Sequence, residues 1–115
     1  MEQIQVNEPF YQISQAAKLL GVTSDRLRTY EEEGLIKPFR TKNSKDGKRL
    51  YSLNDIEWLA RIRDLIKLGV SIPSIRILLI SKLPLKTTKL KEKDIEIINL
   101  LNELKNHSIY SVLYK

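Results

Sequence analysis

The chain has 115 residues, 42% of them hydrophobic, and a formal charge of +6. That is the size of one compact domain with an appended element and too small for two full cores. It contains no cysteine, which excludes a disulfide framework and any thiolate metal or redox sensor. The positive balance shifts expectation toward a polyanionic partner, nucleic acid first, without bearing on fold.

Residues 1–10 are polar, with Glu2 and Glu8 and no apolar centre, so they do not read as a signal peptide, and no later run approaches the length of a membrane span. A cytoplasmic protein with no membrane partner is expected. From Ile13 to Leu20 apolar residues fall at helical spacing. Ser14 is the predicted N-cap and Gly21 the stop of this first helix. Thr23 caps a second helix with Asp25 in its first turn, where a carboxylate favours the dipole, and Gly34 closes it. Two short helices around a tight glycine turn predict a helix-turn-helix.

Leu35 to Arg40 and Arg49 to Tyr51 then read as two short strands around a loop carrying Asp46-Gly47, a hairpin of the kind called a wing. A longer helix opens at Ser52, with Asp55 in the capping-box position and Ile56, Leu59, Ile62 and Ile66 behind it, and ends near Gly69. Ser71 caps a further helix through Ile72, Ile75, Leu78 and Leu79, with Pro73 tolerated in its first turn. Pro84 and the pair Thr87-Thr88 mark residues 81–88 as a linker. In the last helix Leu90, Ile97, Leu101 and Leu104 fall at heptad-like spacing between charges. This stretch is short for a lone coiled coil and needs a partner, so a homodimer is expected.

The expected fold is therefore mostly α: a winged helix-turn-helix over residues 10–80, the linker, a dimerisation helix over 89–106 and a tail over 107–115.

In helix-turn-helix proteins the N-terminal turns of the second helix meet base edges while arginines and exposed amides hold phosphates. Thr23, Ser24, Arg26, Arg28 and Thr29 are the candidates here, Arg26 and Arg28 foremost. The run Glu31-Glu32-Glu33 opposes the helix dipole at the C-terminal end. It lies away from the groove floor, and Glu31 is placed to orient a neighbouring arginine. The hairpin carries Arg40, Lys42, Lys45, Lys48 and Arg49 against the single acid Asp46, a basic turn able to follow a phosphate backbone or enter a minor groove. Tyr51 is expected to donate its hydroxyl to a phosphate. Trp58 reads as core or dimer packing. His107, the single histidine, reads as an ordinary exposed side chain near a helix end, with no metal site to join. The scattered Asp and Glu form no catalytic constellation. No cofactor and no enzymatic activity are expected.

Four separated motifs, Ile13-Ser14-Gln15-Ala16-Ala17 through Leu27-Arg28-Thr29-Tyr30-Glu31, Gly34-Leu35-Ile36, Arg49-Leu50-Tyr51-Ser52 and Asp55-Ile56, stand in a recognisable order. Over residues 10–80 the chain resembles the MerR family of transcriptional regulators. Tyr11-Gln12-Ile13-Ser14 and Gly69-Val70-Ser71-Ile72 look most like its heat-shock repressor branch, HspR. The resemblance implies a homodimer on an inverted repeat of double-stranded DNA, bending or twisting it, with DNA contacts at the positions of Arg28, Arg49 and Tyr51. Thr29 stands where relatives often have an aromatic residue that touches DNA, which weakens the transfer of that contact, and Asp25 stands where they are often basic or polar, which leaves the base preference open. Effector sensing in the family lies in a cysteine-bearing metal loop or a ligand domain. Residues 105–115 resemble neither, and read as a segment packing on the dimer helix or docking a protein partner. Two other readings compete: an excisionase-like architectural DNA-bending factor, which the long final helix opposes, and a protein-interaction module whose basic hairpin meets an acidic partner.

Overall fold

A computed structural model of the protein describes residues 5–41, 47–81 and 91–114. Among them most are helical, with one small antiparallel sheet. In chain order the elements are β1 (Tyr11–Gln12), α1 (Ile13–Leu20), α2 (Ser24–Glu32), β2 (Phe39–Arg40), β3 (Arg49–Tyr51), α3 (Leu53–Lys67), α4 (Ile72–Ile80), α5 (Glu92–Lys105) and α6 (Ser108–Tyr114). The chain divides into two units at Ala60/Arg61, within α3.

In the N-terminal unit the sheet order is β1-β3-β2. Tyr11 pairs with Tyr51 and Gln12 with Leu50, while Phe39 pairs with Leu50 and Arg40 with Arg49. The expected two-stranded hairpin thus gains a third strand, with Phe10 N–H donating to Tyr51 O at 3.1 Å just beyond it. β1 runs directly into α1, and this moves the helix start. Gln12, in extended conformation, is the N-cap, and its N–H donates to Gln15 Oε1 at 2.9 Å. Ser14, the expected cap, lies inside the helix.

The other caps are local chemistry that the residue types announce. Thr23 Oγ1 accepts from Arg26 N–H at 3.1 Å. Ser52 Oγ accepts from Asp55 N–H at 3.0 Å while Asp55 Oδ2 accepts from Ser52 N–H at 2.8 Å, a reciprocal capping box. Gly21 and Gly34 adopt φ of 68° and 76°, the left-handed region a side chain disfavours. Each lets the following amide reach back, Val22 N–H to Ala17 O at 3.0 Å and Leu35 N–H to Tyr30 O at 2.9 Å, closing α1 and α2. The unit's core holds Ala16, Ala17, Leu20, Leu27, Tyr30, Leu35, Ile36, Tyr51, Trp58 and Leu59. Trp58 is fully buried there, its indole N–H donating to Leu35 O at 2.7 Å, and so belongs to the core.

The C-terminal unit packs Ile62, Leu65, Ile75, Leu79, Leu101 and Leu104 together as its buried set. Ser71 Oγ caps α4 by accepting from Ser74 N–H at 3.2 Å. The expected linker, apart from Ser81, and Leu90 lie outside the described residues. α5 begins at Glu92, with Asp94 Oδ2 accepting from Lys91 N–H at 3.1 Å. Leu101 and Leu104, expected to face a partner, are 3% and 0% exposed within their own chain, and Ile97 on the same face is half-buried. Leu101 and Leu104 therefore serve the core of their own chain. Ile95 is the exposed large apolar residue of α5 and lies on the opposite face of the helix, with the half-buried Ile98 between the two faces.

The tail forms α6. Its Tyr110 hydroxyl donates to Leu79 O at 2.9 Å and, from α5, Lys105 Nζ donates to Ser81 O at 2.9 Å. Both supply donors to carbonyls at the end of α4, which have no helical partner. His107 is half-buried rather than exposed, and its Nδ1 accepts from Ile109 N–H at 3.2 Å at the start of α6. Tyr110→Phe removes one of those carbonyl donors and is expected to cost about 1 kcal/mol, read from urea unfolding. An unchanged midpoint would mean that α6 does not dock through this bond in solution.

Candidate nucleic-acid interface

α2 is fixed from below by Leu27 and Tyr30, 0% and 1% exposed, leaving its other side to solvent. Arg26 is exposed, and Arg28 and Thr29 are half-buried. Arg28 Nη1 pairs with Asp25 Oδ1 at 2.7 Å, with side-chain exposures of 43% and 91%. An exposed i,i+3 pair of this kind contributes little, so a phosphate or base edge can take over Arg28 at small cost. Thr29 Oγ1 donates to Asp25 O at 3.1 Å, and Thr23 Oγ1 is committed to its cap. Ser24 is half-buried at the first helical position. These five residues run from the N-cap to the sixth position of one helix.

The wing joins α2 through one carboxylate. Glu31 Oε2 accepts from Arg40 Nη2 of β2 at 2.7 Å and Oε1 from Arg49 Nε of β3 at 2.5 Å. All three side chains are only 22–25% exposed. Arg40 Nη1 also donates to Gly47 O at 3.2 Å. Where the hairpin turns, Thr41 N–H donates to Lys48 O at 3.1 Å and Lys48 N–H to Thr41 Oγ1 at 3.2 Å, while Lys48 itself is exposed. Lys42 and Lys45 lie outside the described residues. Burial pushes the Glu31 carboxyl up, but the hydrogen bonds and charges of Arg49 and Arg40 outweigh it and hold the group below its usual 4.5. A depressed carboxyl stabilises the fold fully above that value and loses its contribution as pH falls through the lowered one. Acid unfolding of the wild type should therefore show a component below pH 4.5 that is absent from Glu31→Gln. Identical acid profiles would show that the cluster does not form in solution.

Tyr51 departs from expectation. It is 0% exposed, and its hydroxyl is buried without a hydrogen-bond partner. Burial foremost, then the Glu31 charge, pushes its phenol up to about 12. A β3 side chain pointing into the core has no path to a phosphate, so the expected hydroxyl contact is corrected to a packing role. Removing an orphaned buried hydroxyl costs little or stabilises. Tyr51→Phe should keep its DNA affinity with equal or higher stability, and a tenfold affinity loss would restore the phosphate contact.

What the residue pattern did not disclose is that Arg40 and Arg49 are both bound by Glu31. Three acids at a helix end were the signal, since nothing local favours them there. Glu31 has its two arginines, whereas Glu32 is exposed. Among the described residues no group of three or more His, Cys, Asp or Glu is placed to hold a metal, and no helix is long and apolar enough to cross a membrane.

A capped helix-turn-helix followed by a basic hairpin that pairs with a strand ahead of the first helix defines a winged helix-turn-helix protein. The family described as MerR HTH family regulatory protein matches residues 11–82, and the chain belongs to the MerR family of transcriptional regulators, not to a family of enzymes. It is 32% identical over 98 residues to the HTH-type transcriptional regulator GlnR of Bacillus anthracis, covering 84% of this chain and 74% of that one. It is 41% identical over 63 residues to the HTH-type transcriptional regulator AdhR of Bacillus subtilis, covering 55% and 44%. Among solved structures it is similar to a MerR-family transcriptional regulator from Bacillus cereus, with a TM-score of 0.51 and 26% identity over 90% of this chain and 74% of that one.

Proposed function

We propose that the protein binds double-stranded DNA in the cytoplasm as a homodimer on an inverted-repeat operator, distorts that DNA, and thereby regulates transcription. The observation that carries this reading is the joint surface of α2 and the wing. Arg26, Arg28 and Thr29 stand on a helix whose other side is locked in the core, and Arg40, Lys48 and Arg49 stand on the hairpin tied to it. α2 enters the major groove with Thr23, Ser24, Arg26, Arg28 and Thr29 foremost. The wing, including Lys42 and Lys45, follows the adjacent backbone and supplies salt-dependent affinity.

Residues 10–80 do the DNA reading, 81–88 serve as linker, and within 89–106 the helix α5 (Glu92–Lys105) does the pairing. With Leu101 and Leu104 buried in their own chain, the apolar surface open to a second copy includes Ile95 of α5 and Ile77 and Ile80 of α4, 46%, 66% and 60% exposed. In the tail, 107–115, Tyr110 of α6 braces α4, and the segment remains open to a protein partner. The test is unbiased selection of bound genomic fragments by the purified protein at physiological salt. Enrichment of one inverted repeat supports the reading. No preference over random duplex overturns it, and sequence-selective binding by a monomer overturns its dimeric part in favour of an architectural factor.

A further inference from the structure

We propose that Glu31 is the positioning residue that holds the wing in register with α2 for DNA contact, so that removing this negative charge weakens binding to a polyanion. The inference rests on the DNA-binding reading above and adds to it a residue that touches no DNA.

The hairpin strands are very short, two residues in β2 and three in β3, and so small a ribbon is marginal by itself. Backbone pairing to β1 holds β3 alone, since β2 is the edge strand of the order β1-β3-β2. Glu31 supplies what the sheet lacks. One carboxylate on the last turn of α2 takes Arg40 from the edge strand and Arg49 from the central strand, each through a different oxygen. Arg40 carries the tie onward to Gly47 O across the turn. Arg49 uses only Nε in the pair with Glu31, so the two terminal nitrogens of its guanidinium keep their donors for a phosphate. The pairs are three-quarters buried, where screening by salt is weaker than at the surface.

Two effects of Glu31 on DNA binding have opposite signs. As a bare charge near phosphates it would repel. As a brace it keeps two arginines where a backbone can meet them. The brace outweighs the charge, because a carboxylate held between two guanidinium groups leaves a cluster of net positive charge. Its own field is further damped beyond a Debye length of about 8 Å at physiological ionic strength.

The test compares wild type, Glu31→Gln and Glu31→Asp for binding to the selected operator over a series of salt concentrations, with the double variant Glu31→Gln/Arg40→Gln closing a cycle with Arg40→Gln. Glu31→Gln, near-isosteric and uncharged, should bind about tenfold more weakly, and its plot of log affinity against log salt should be shallower by about 1 to 2, the loss of one or two phosphate contacts. Glu31→Asp keeps the charge but is a methylene shorter; it should fall between the two. In the Arg40→Gln background the Glu31→Gln effect should shrink. A brace that served folding alone would lower the melting temperature without changing the salt slope of the folded fraction, and that result overturns the inference. Equal or tighter binding by Glu31→Gln with an unchanged or steeper slope overturns it too. A DNA-free readout keeps the two readings separate: the wild-type Arg49 Nε–H resonance should be protected from solvent exchange, and the protection should vanish in Glu31→Gln. If it is absent in wild type the brace does not form. Failure of the wild type to bind any duplex sinks the DNA-binding reading, and is seen before any variant is made.

Discussion

Reversing two charges on the open side of α2, Arg26→Glu with Arg28→Glu, should lower affinity for duplex DNA by roughly 100-fold or more and leave the fold intact. Arg26 is exposed, and among the described residues Arg28 pairs with the 91%-exposed Asp25, so neither supports the core. Replacing Arg28 in this way sets a second carboxylate three residues from Asp25, a like-charge cost of a few tenths of a kcal/mol. Loss of two cations from the DNA face should also make the salt dependence shallower by about 2. Fluorescence anisotropy at several salt concentrations, alongside a melting curve, measures both. Arg49 is less suited to this test, because Arg49→Glu would set a second carboxylate against Glu31 and disturb the wing itself. Retained affinity in the double variant would move the interface off α2 altogether.

The largest stability effect is expected at Trp58. It is 0% exposed and its indole N–H donates to Leu35 O at 2.7 Å. Leu35 is the first residue after the Gly34 closure of α2, so this bond fastens α3 to the point where the helix-turn-helix leads into the wing. Trp58→Ala opens a cavity and orphans a buried carbonyl, at a cost of about 3–5 kcal/mol. A domain of this size has about 5–15 kcal/mol in total, so the variant should be largely unfolded on warming and unable to bind DNA. Trp58→Phe fills most of the space and loses the bond, and should fall well short of that loss. Chemical denaturation monitored by far-ultraviolet circular dichroism reads both. A cost below about 1 kcal/mol for the alanine variant would contradict the core assignment.

What could be read from the residues was what local chemistry decides. Thr23, Ser52 with Asp55, and Ser71 cap the helices they were expected to cap, and Gly21 and Gly34 close theirs, because each device works within four or five residues. β1 escaped notice for the opposite reason. Two residues show no alternation, and Tyr11–Gln12 becomes a strand only by pairing with Leu50 and Tyr51, some forty positions away. That same pairing displaced the cap from Ser14 to Gln12. Ile97, Leu101 and Leu104 do share a helix face, as their spacing says, but spacing does not name what the face meets, and here it meets its own chain. Tyr51 shows the limit most sharply: a tyrosine two residues after an arginine on a wing strand suits a phosphate, yet Tyr51, on the same face of β3 as Arg49, is wholly buried while Arg49 is held by Glu31.

The central claim, a dimer reading two half-sites through α2 and the wing, is tested most directly by hydroxyl-radical footprinting of the selected operator with the stoichiometry of the complex measured in parallel. The account predicts two chains per duplex and a two-fold symmetric pattern of protection, its half-sites separated by whole helical turns and its symmetry lost when one half-site is scrambled. One chain per duplex, or protection indifferent to the sequence of either half-site, would contradict it.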